Sequence, residues 1–224
     1  MNSFLQGDAA HNLGASILPD LSAIYWIGGA PCSGKSTIAE TLAFKYGFSL
    51  FKSDDHMYAH MRLADAQKQP VMAKVAGLSW EEIWSRPVEV LVQDELDFYH
   101  EEFAMLLEEL ALYPQGQPIL AEGNAWLPDL IDPLHISPGR IVYVVPTKTF
   151  QVDNYSQRGF IKDILAQCAD PQSAFENWME RDARFGEVVS RDARQRGLPV
   201  ILVDGRLSIE ENTALVEQAL HLTG

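Results

Sequence analysis

Four residues near the start of the chain have the types and spacing to do chemistry. Gly29, Gly34, Lys35 and Ser36 complete the pattern G-x-x-x-x-G-K-[ST] inside residues 28–37, GGAPCSGKST. Glycine lets the backbone adopt conformations closed to other residues, so successive N–H groups can converge on one anion. Ala30, Pro31, Cys32 and Ser33 form the bend between the two glycines, and Thr37 follows Ser36 into the next segment. Lys35 brings a mobile point charge to the outer phosphates of a nucleotide, and the Ser36 hydroxyl is placed to hold Mg²⁺. The pattern therefore predicts a phosphate-binding loop with ATP and Mg²⁺ as its ligands.

Such a loop works only between a strand and a helix. Ile24 to Ile27 read as a buried strand, and Ser36 to Tyr46 as a helix with Ile38, Leu42 and Tyr46 on one side and Gly47 as its stop. The helix then turns its positive end toward the phosphates.

Four further apolar runs read as strands: 48–51, 118–121, 140–145 and 199–203. Helical patterns separate them. Ser79 with Glu82 forms a capping box ahead of a short helix over 80–85. From Val88 to Leu110 apolar residues recur at three- and four-residue steps, with Glu95 as the one polar member of the stripe, read as an edge residue reaching water. Pro70 and Gly77 read as interruptions of the stretch before it. Asp170-Pro171 opens a long helix running to about Arg196, and Ser208 opens a last one. Strands alternating with helices predict an α/β fold, a parallel sheet with helices on both faces, with ligands bound beyond the carboxyl ends of the strands.

Composition narrows the partners. The 224 residues carry a net charge of −14, with hydrophobic residues at 47% and charged ones at 21%. That is one ordinary globular domain, 1–224, and the charge disfavours nucleic acid or an anionic membrane as partner. No run is long enough to span a bilayer, and residues 1–22 read as a loose polar arm, without the basic start of a signal peptide. The two cysteines, Cys32 and Cys168, have no metal-ligand spacing and fit a reduced, cytoplasmic setting. Cys32 reads as a small filler of the loop. Whether the chain is a monomer or homodimer is open at this point.

The P-loop, the SDD after the second strand, the EG after the third and the arginine-bearing segment after the fourth together resemble the P-loop small-molecule kinases. This group includes the nucleoside monophosphate, shikimate and gluconate kinases and antibiotic-phosphorylating relatives. The resemblance implies a five-stranded sheet in the order 2-3-1-4-5, a helical acceptor-binding region over 56–117 and a lid over 147–170. It implies phosphorylation of a hydroxyl on a small molecule such as a metabolite, sugar, nucleoside or antibiotic. By the same resemblance Asp55, or its neighbour Asp54, accepts the proton of that hydroxyl, and Asp54 with Ser36 serves Mg²⁺. Glu122 and Gly123 fall where the acceptor or metal is contacted, with Glu in place of the commoner Asp. Arg158 and Arg184 are the cations expected to clamp the transferring group, while Arg181 and Arg191 share the helix side with Arg184. The residues 204–206 would border the adenine.

The alternative to a clamp is a solvated face, since Glu180–Arg184 and Glu187–Arg191 have helix-pair spacing. Tyr58, Arg62, Trp80 and Trp84 could line a pocket for a ring or sugar bearing an anionic group, or be core. His56 and His60 read as structural or substrate-contacting. Two other readings of a P-loop stay open: a nucleotide-dependent switch or ATPase, and a non-catalytic ATP-binding module. The switch lacks the N-K-x-D stretch after strand four, where the chain reads Thr147-Lys148-Thr149-Phe150. A motor-type ATPase normally carries adjacent acids at the end of a strand, where Ile119 to Gly123 offers only Glu122.

Overall fold

The computed structural model describes residues 20–222, apart from 115, 138 and 157. The expectation of a loose arm therefore lies mostly outside the described residues. Of that segment, Asp20 caps a single 3-10 turn, Leu21–Ala23.

Five strands follow: β1 (Ile24–Gly29), β2 (Ser49–Lys52), β3 (Ile119–Glu122), β4 (Ile141–Pro146) and β5 (Val200–Val203). All are parallel, in the order β2-β3-β1-β4-β5. This is the strand order that the resemblance implies. Parallel strands buried on both faces explain the near-continuous apolar runs seen in the sequence.

The helices are α1 (Lys35–Tyr46), α2 (Asp54–Leu63), α3 (Pro70–Ala76), α4 (Trp80–Trp84) and α5 (Val88–Ala111). After β3 come α6 (Pro128–Ile131), α7 (Lys148–Tyr155), α8 (Gly159–Leu165), α9 (Pro171–Gln195) and α10 (Ile209–Ala219). Side chains alternate across a strand, so each strand feeds two cores. Ile24, Trp26 and Ala121 pack with Phe98, Leu106, Phe185 and Val189 under α5 and α9. Ile27, Leu120 and Val144 pack with Ile38, Leu42 and Val216 under α1 and α10. A third apolar cluster, built on Trp84, Leu91, Tyr155 and Trp178, joins α4, α7 and α9 above the sheet.

Two sequence readings are corrected here. Pro70 starts a helix: it occupies the first turn of α3, where its missing N–H has no intrahelical acceptor to lose, and Gly77 caps the end. Glu95 is buried, not a water-reaching edge residue, because α5 is covered by α9 along that side. The capping boxes at Ser79–Glu82 and Ser208–Glu211 are both formed, and Asp170 caps α9 by accepting from the Ser173 N–H.

Candidate active site

The loop after β1 is shaped by close approach. Gly29 has φ 142°, and a Cβ built there would lie 1.9 Å from the Val144 carbonyl oxygen of β4. Gly34 takes the left-handed conformation, φ 84°, as the N-cap of α1. Cys32 also has positive φ, 65°. Its thiol is buried and its pKa is pushed up, chiefly by desolvation against the opposing pull of Arg158, so it is no reactive thiolate.

Lys35 is the first residue of α1 and is buried. Its Nζ donates to the Ala30 carbonyl at 3.1 Å and to Asn124 Oδ1 at 2.8 Å. Burial pushes its pKa down, with Glu122 and Asp54 pulling the other way. A cation held in such a place gains from an anion that replaces lost water. Ser33 Oγ is buried beside it and has no protein partner. Converging backbone, a desolvated ammonium and an unpartnered hydroxyl form a donor set that fits the phosphates of a nucleotide.

One cavity of about 1070 Å³ opens in front of this loop. Residues 31–37 form its floor. Asp54, Arg62 and Tyr58 from α2 and Trp80 and Trp84 from α4 line it, with Glu95, Phe98 and Tyr99 from α5. Asn124, Tyr155, Arg158, Trp178 and Arg181 complete the wall. The Trp84 and Trp178 rings stack at 4.2 Å, and the Arg181 guanidinium sits 5.0 Å over Trp84. The cavity thus combines aromatic faces with charged side chains of both signs, Lys35, Arg62, Arg158 and Arg181 against Asp54 and Glu95.

The structure sorts the sequence candidates. Asp54 lines the cavity, while Asp55, one helical step of about 100° further on, does not and interacts instead with Lys52 and Tyr113. Arg158, the N-cap of α8, lines the cavity over the Tyr155 ring at 5.1 Å. Arg184 does not reach it: its guanidinium donates to Glu89 at 2.6 Å and to Glu180 at 2.7 Å on the outside of α9. Arg191 lines a separate, smaller pocket beside β4 and α9.

Glu122 is buried at the end of β3 and has its pKa raised by burial, against the lowering pull of Lys35 and, more weakly, of Ser36. Gly123 passes so close to Ser53 that a Cβ would meet its Oγ at 1.7 Å. Residues 204–206 turn on their own contacts, with Arg206 paired to Asp204 at 3.2 Å. His56 and His60 face α5 and are not among the cavity residues.

Sequence reasoning left three residues without their place. Asn124, which positions Lys35, carried no periodic signal. Arg181 and Glu95 pair across the cavity wall, Nη1 to Oε2 at 3.0 Å, and Asp182 flanks the same guanidinium. Desolvation raises the Glu95 pKa to about 8 against the lowering pull of Arg181. The interruption of the α5 stripe by a lone acid was the signal that could have found this pair.

No family model and no curated protein matches the chain. Solved structures show distant likenesses. A shikimate kinase from Acinetobacter baumannii is 15% identical over 92% of this chain and 93% of that one, with a TM-score of 0.46. A deoxyadenosine kinase from M. mycoides is 12% identical over 90% and 100%, with a TM-score of 0.49. A thymidylate kinase from Candida albicans is 15% identical over 89% and 91%, with a TM-score of 0.46. Among the described residues no helix is long and apolar enough to cross a membrane.

Proposed function

We propose that the chain is an ATP- and Mg²⁺-dependent phosphotransferase that phosphorylates a hydroxyl of a small molecule. The observation carrying this reading is that Lys35 and Asp54 line the same cavity, with aromatic walls large enough for an acceptor. The loop 29–37 and Lys35 hold the donor's phosphates. Ser36, with Glu122 behind it, holds Mg²⁺, which when bound neutralises phosphate charge. Asp54 accepts the proton from the acceptor hydroxyl as the new oxygen–phosphorus bond forms and the bond from the γ-phosphorus to the bridging oxygen breaks, ADP leaving with the electron pair, a role for which a carboxylate within reach suffices. Arg158 supplies positive charge to the transferring group, and α7–α8 is the segment that closes over it.

The acceptor side is α2 to α5, where Arg62 suits an anionic substituent and the tryptophans a ring. Two free, buried cysteines suit a cytoplasmic protein.

The test is a panel of sugars, nucleosides, hydroxy acids and aminoglycoside-type antibiotics incubated with the full chain and Mg·ATP. ADP release that depends on one acceptor class supports the reading. Equal release with and without every acceptor identifies an ATPase. Binding of Mg·ATP with no release at all identifies a non-catalytic module.

A further inference from the structure

We propose that His56, His60 and Glu109 form a Zn²⁺ site that ties α2 to α5, away from the nucleotide cavity and independent of the phosphotransfer reading. One donor atom from each of the three lies within 4.8 Å of the other two. The spacing is helical on both partners: His56 and His60 are four residues apart on α2, Glu102 and Glu109 seven apart on α5, so each pair shares a face.

The second observation is how His60 is held. Its Nδ1 lies 2.9 Å from Glu102 Oε1, and both side chains are nearly inaccessible, at 3% and 1% exposure. A carboxylate on one ring nitrogen fixes the tautomer and leaves the other nitrogen's lone pair free, the support that metal-ligating histidines receive. His56 is also constrained. It stacks on Phe51 at 4.6 Å, and its Nδ1 is 4.0 Å from Glu109 Oε2.

Two imidazoles and one carboxylate suit Zn²⁺ and not Mg²⁺ or Ca²⁺, which prefer all-oxygen sets. A tetrahedral zinc with bonds of about 2.0–2.2 Å needs its donors roughly 3.4 Å apart. The His56 and Glu109 side chains, 25% and 40% exposed, are the two with room to move in by the difference. Water completes the fourth position. The bland alternative is a buried His60–Glu102 hydrogen bond with His56 beside it by chance. It accounts for His60 but not for a second histidine and a second acid whose donor atoms lie within 4.8 Å of it.

The experiment uses the full chain, nucleotide-free and dialysed against chelator. ZnCl₂ is titrated in competition with a chromophoric chelator. One equivalent should bind per chain and raise the melting temperature, and Co²⁺ should give a visible absorption band of low coordination number. The double variant His56→Asn/Glu109→Gln alters two incompletely buried side chains, and its fold is checked by circular dichroism. Its Zn²⁺ affinity should drop by roughly tenfold or more, by the scale of losses at metal sites, with no cobalt band. His100→Asn, which removes the exposed His100–Asp129 pair, should leave binding intact. Absence of binding to the wild-type chain overturns the proposal, as does a double variant that binds zinc equally well.

Discussion

The Lys35 ammonium donates to Asn124 Oδ1 at 2.8 Å, joining the first helical residue after β1 to the loop after β3. The contact spans 89 positions of sequence. It holds this ammonium between the ends of two neighbouring strands, β1 and β3.

The adjacent aspartates are the sharpest test of the acceptor side. Asp54→Asn should lower acceptor-dependent ADP formation by about 10²–10⁴-fold, the scale of a lost general base, while Mg·ATP still binds. Asp55→Asn should change the rate by no more than a few fold. Initial rates on the best acceptor decide it, and the opposite ranking would return the base to Asp55.

Glu95 sets a pH signature in stability. Its folded pKa of about 8 lies above the ordinary 4.5. Between those values the folded state binds the extra proton, so its contribution is fully favourable below about pH 4.5 and is lost as pH rises through 8. Arg181, Asp182, Tyr99 and Asp54 face it, and Asp182, also raised by burial, slopes the same way. Glu95→Gln mimics the protonated form. Its melting temperature should gain on wild type steadily from pH 5 to pH 8; parallel profiles would show that Glu95 is ionised throughout.

The two arginines of α9 should separate in stability. Arg181→Ala removes the buried cation shared by Glu95 and Asp182 and should lower the urea midpoint clearly, the more so above pH 8 where Glu95 ionises. Arg184→Ala breaks only exposed pairs with Glu89 and Glu180 and should melt close to wild type. Equal effects would mean the buried cluster is compensated elsewhere.

Loop glycines should differ in the same way. Gly34→Ala meets only the flexible end of Ile209, at 3.1 Å, so its cost is the left-handed conformation alone, about 1–2 kcal/mol. Gly29→Ala drives a methyl into the Val144 backbone and should cost well beyond that or prevent folding. Denaturant midpoints of both variants check this.

Much of this architecture was legible in the sequence, and the reasons are specific. Strands such as 141–146 are apolar on both faces, a pattern no neighbour can disguise. The glycine loop is legible because its conformation is set by its own residues, Gly29 and Gly34 at positive φ. The acceptor side was not, because one helical step separates Asp54 from Asp55, and the sequence does not say which way α2 enters. Arg181 and Arg184 sit on nearly the same helix side, and only the packing of α5 buries one and leaves the other in water. Pro70 misled because proline breaks a helix from inside but starts one from its first turn.

Calorimetric titration of Mg·ATP into wild type and Lys35→Met tests the central claim most directly. The account predicts one nucleotide site per chain in the wild type, weakened at least tenfold, about 1.4 kcal/mol, in the variant. A wild-type chain that takes up no Mg·ATP, or a variant that binds it unchanged, would contradict the assignment of this loop to a triphosphate.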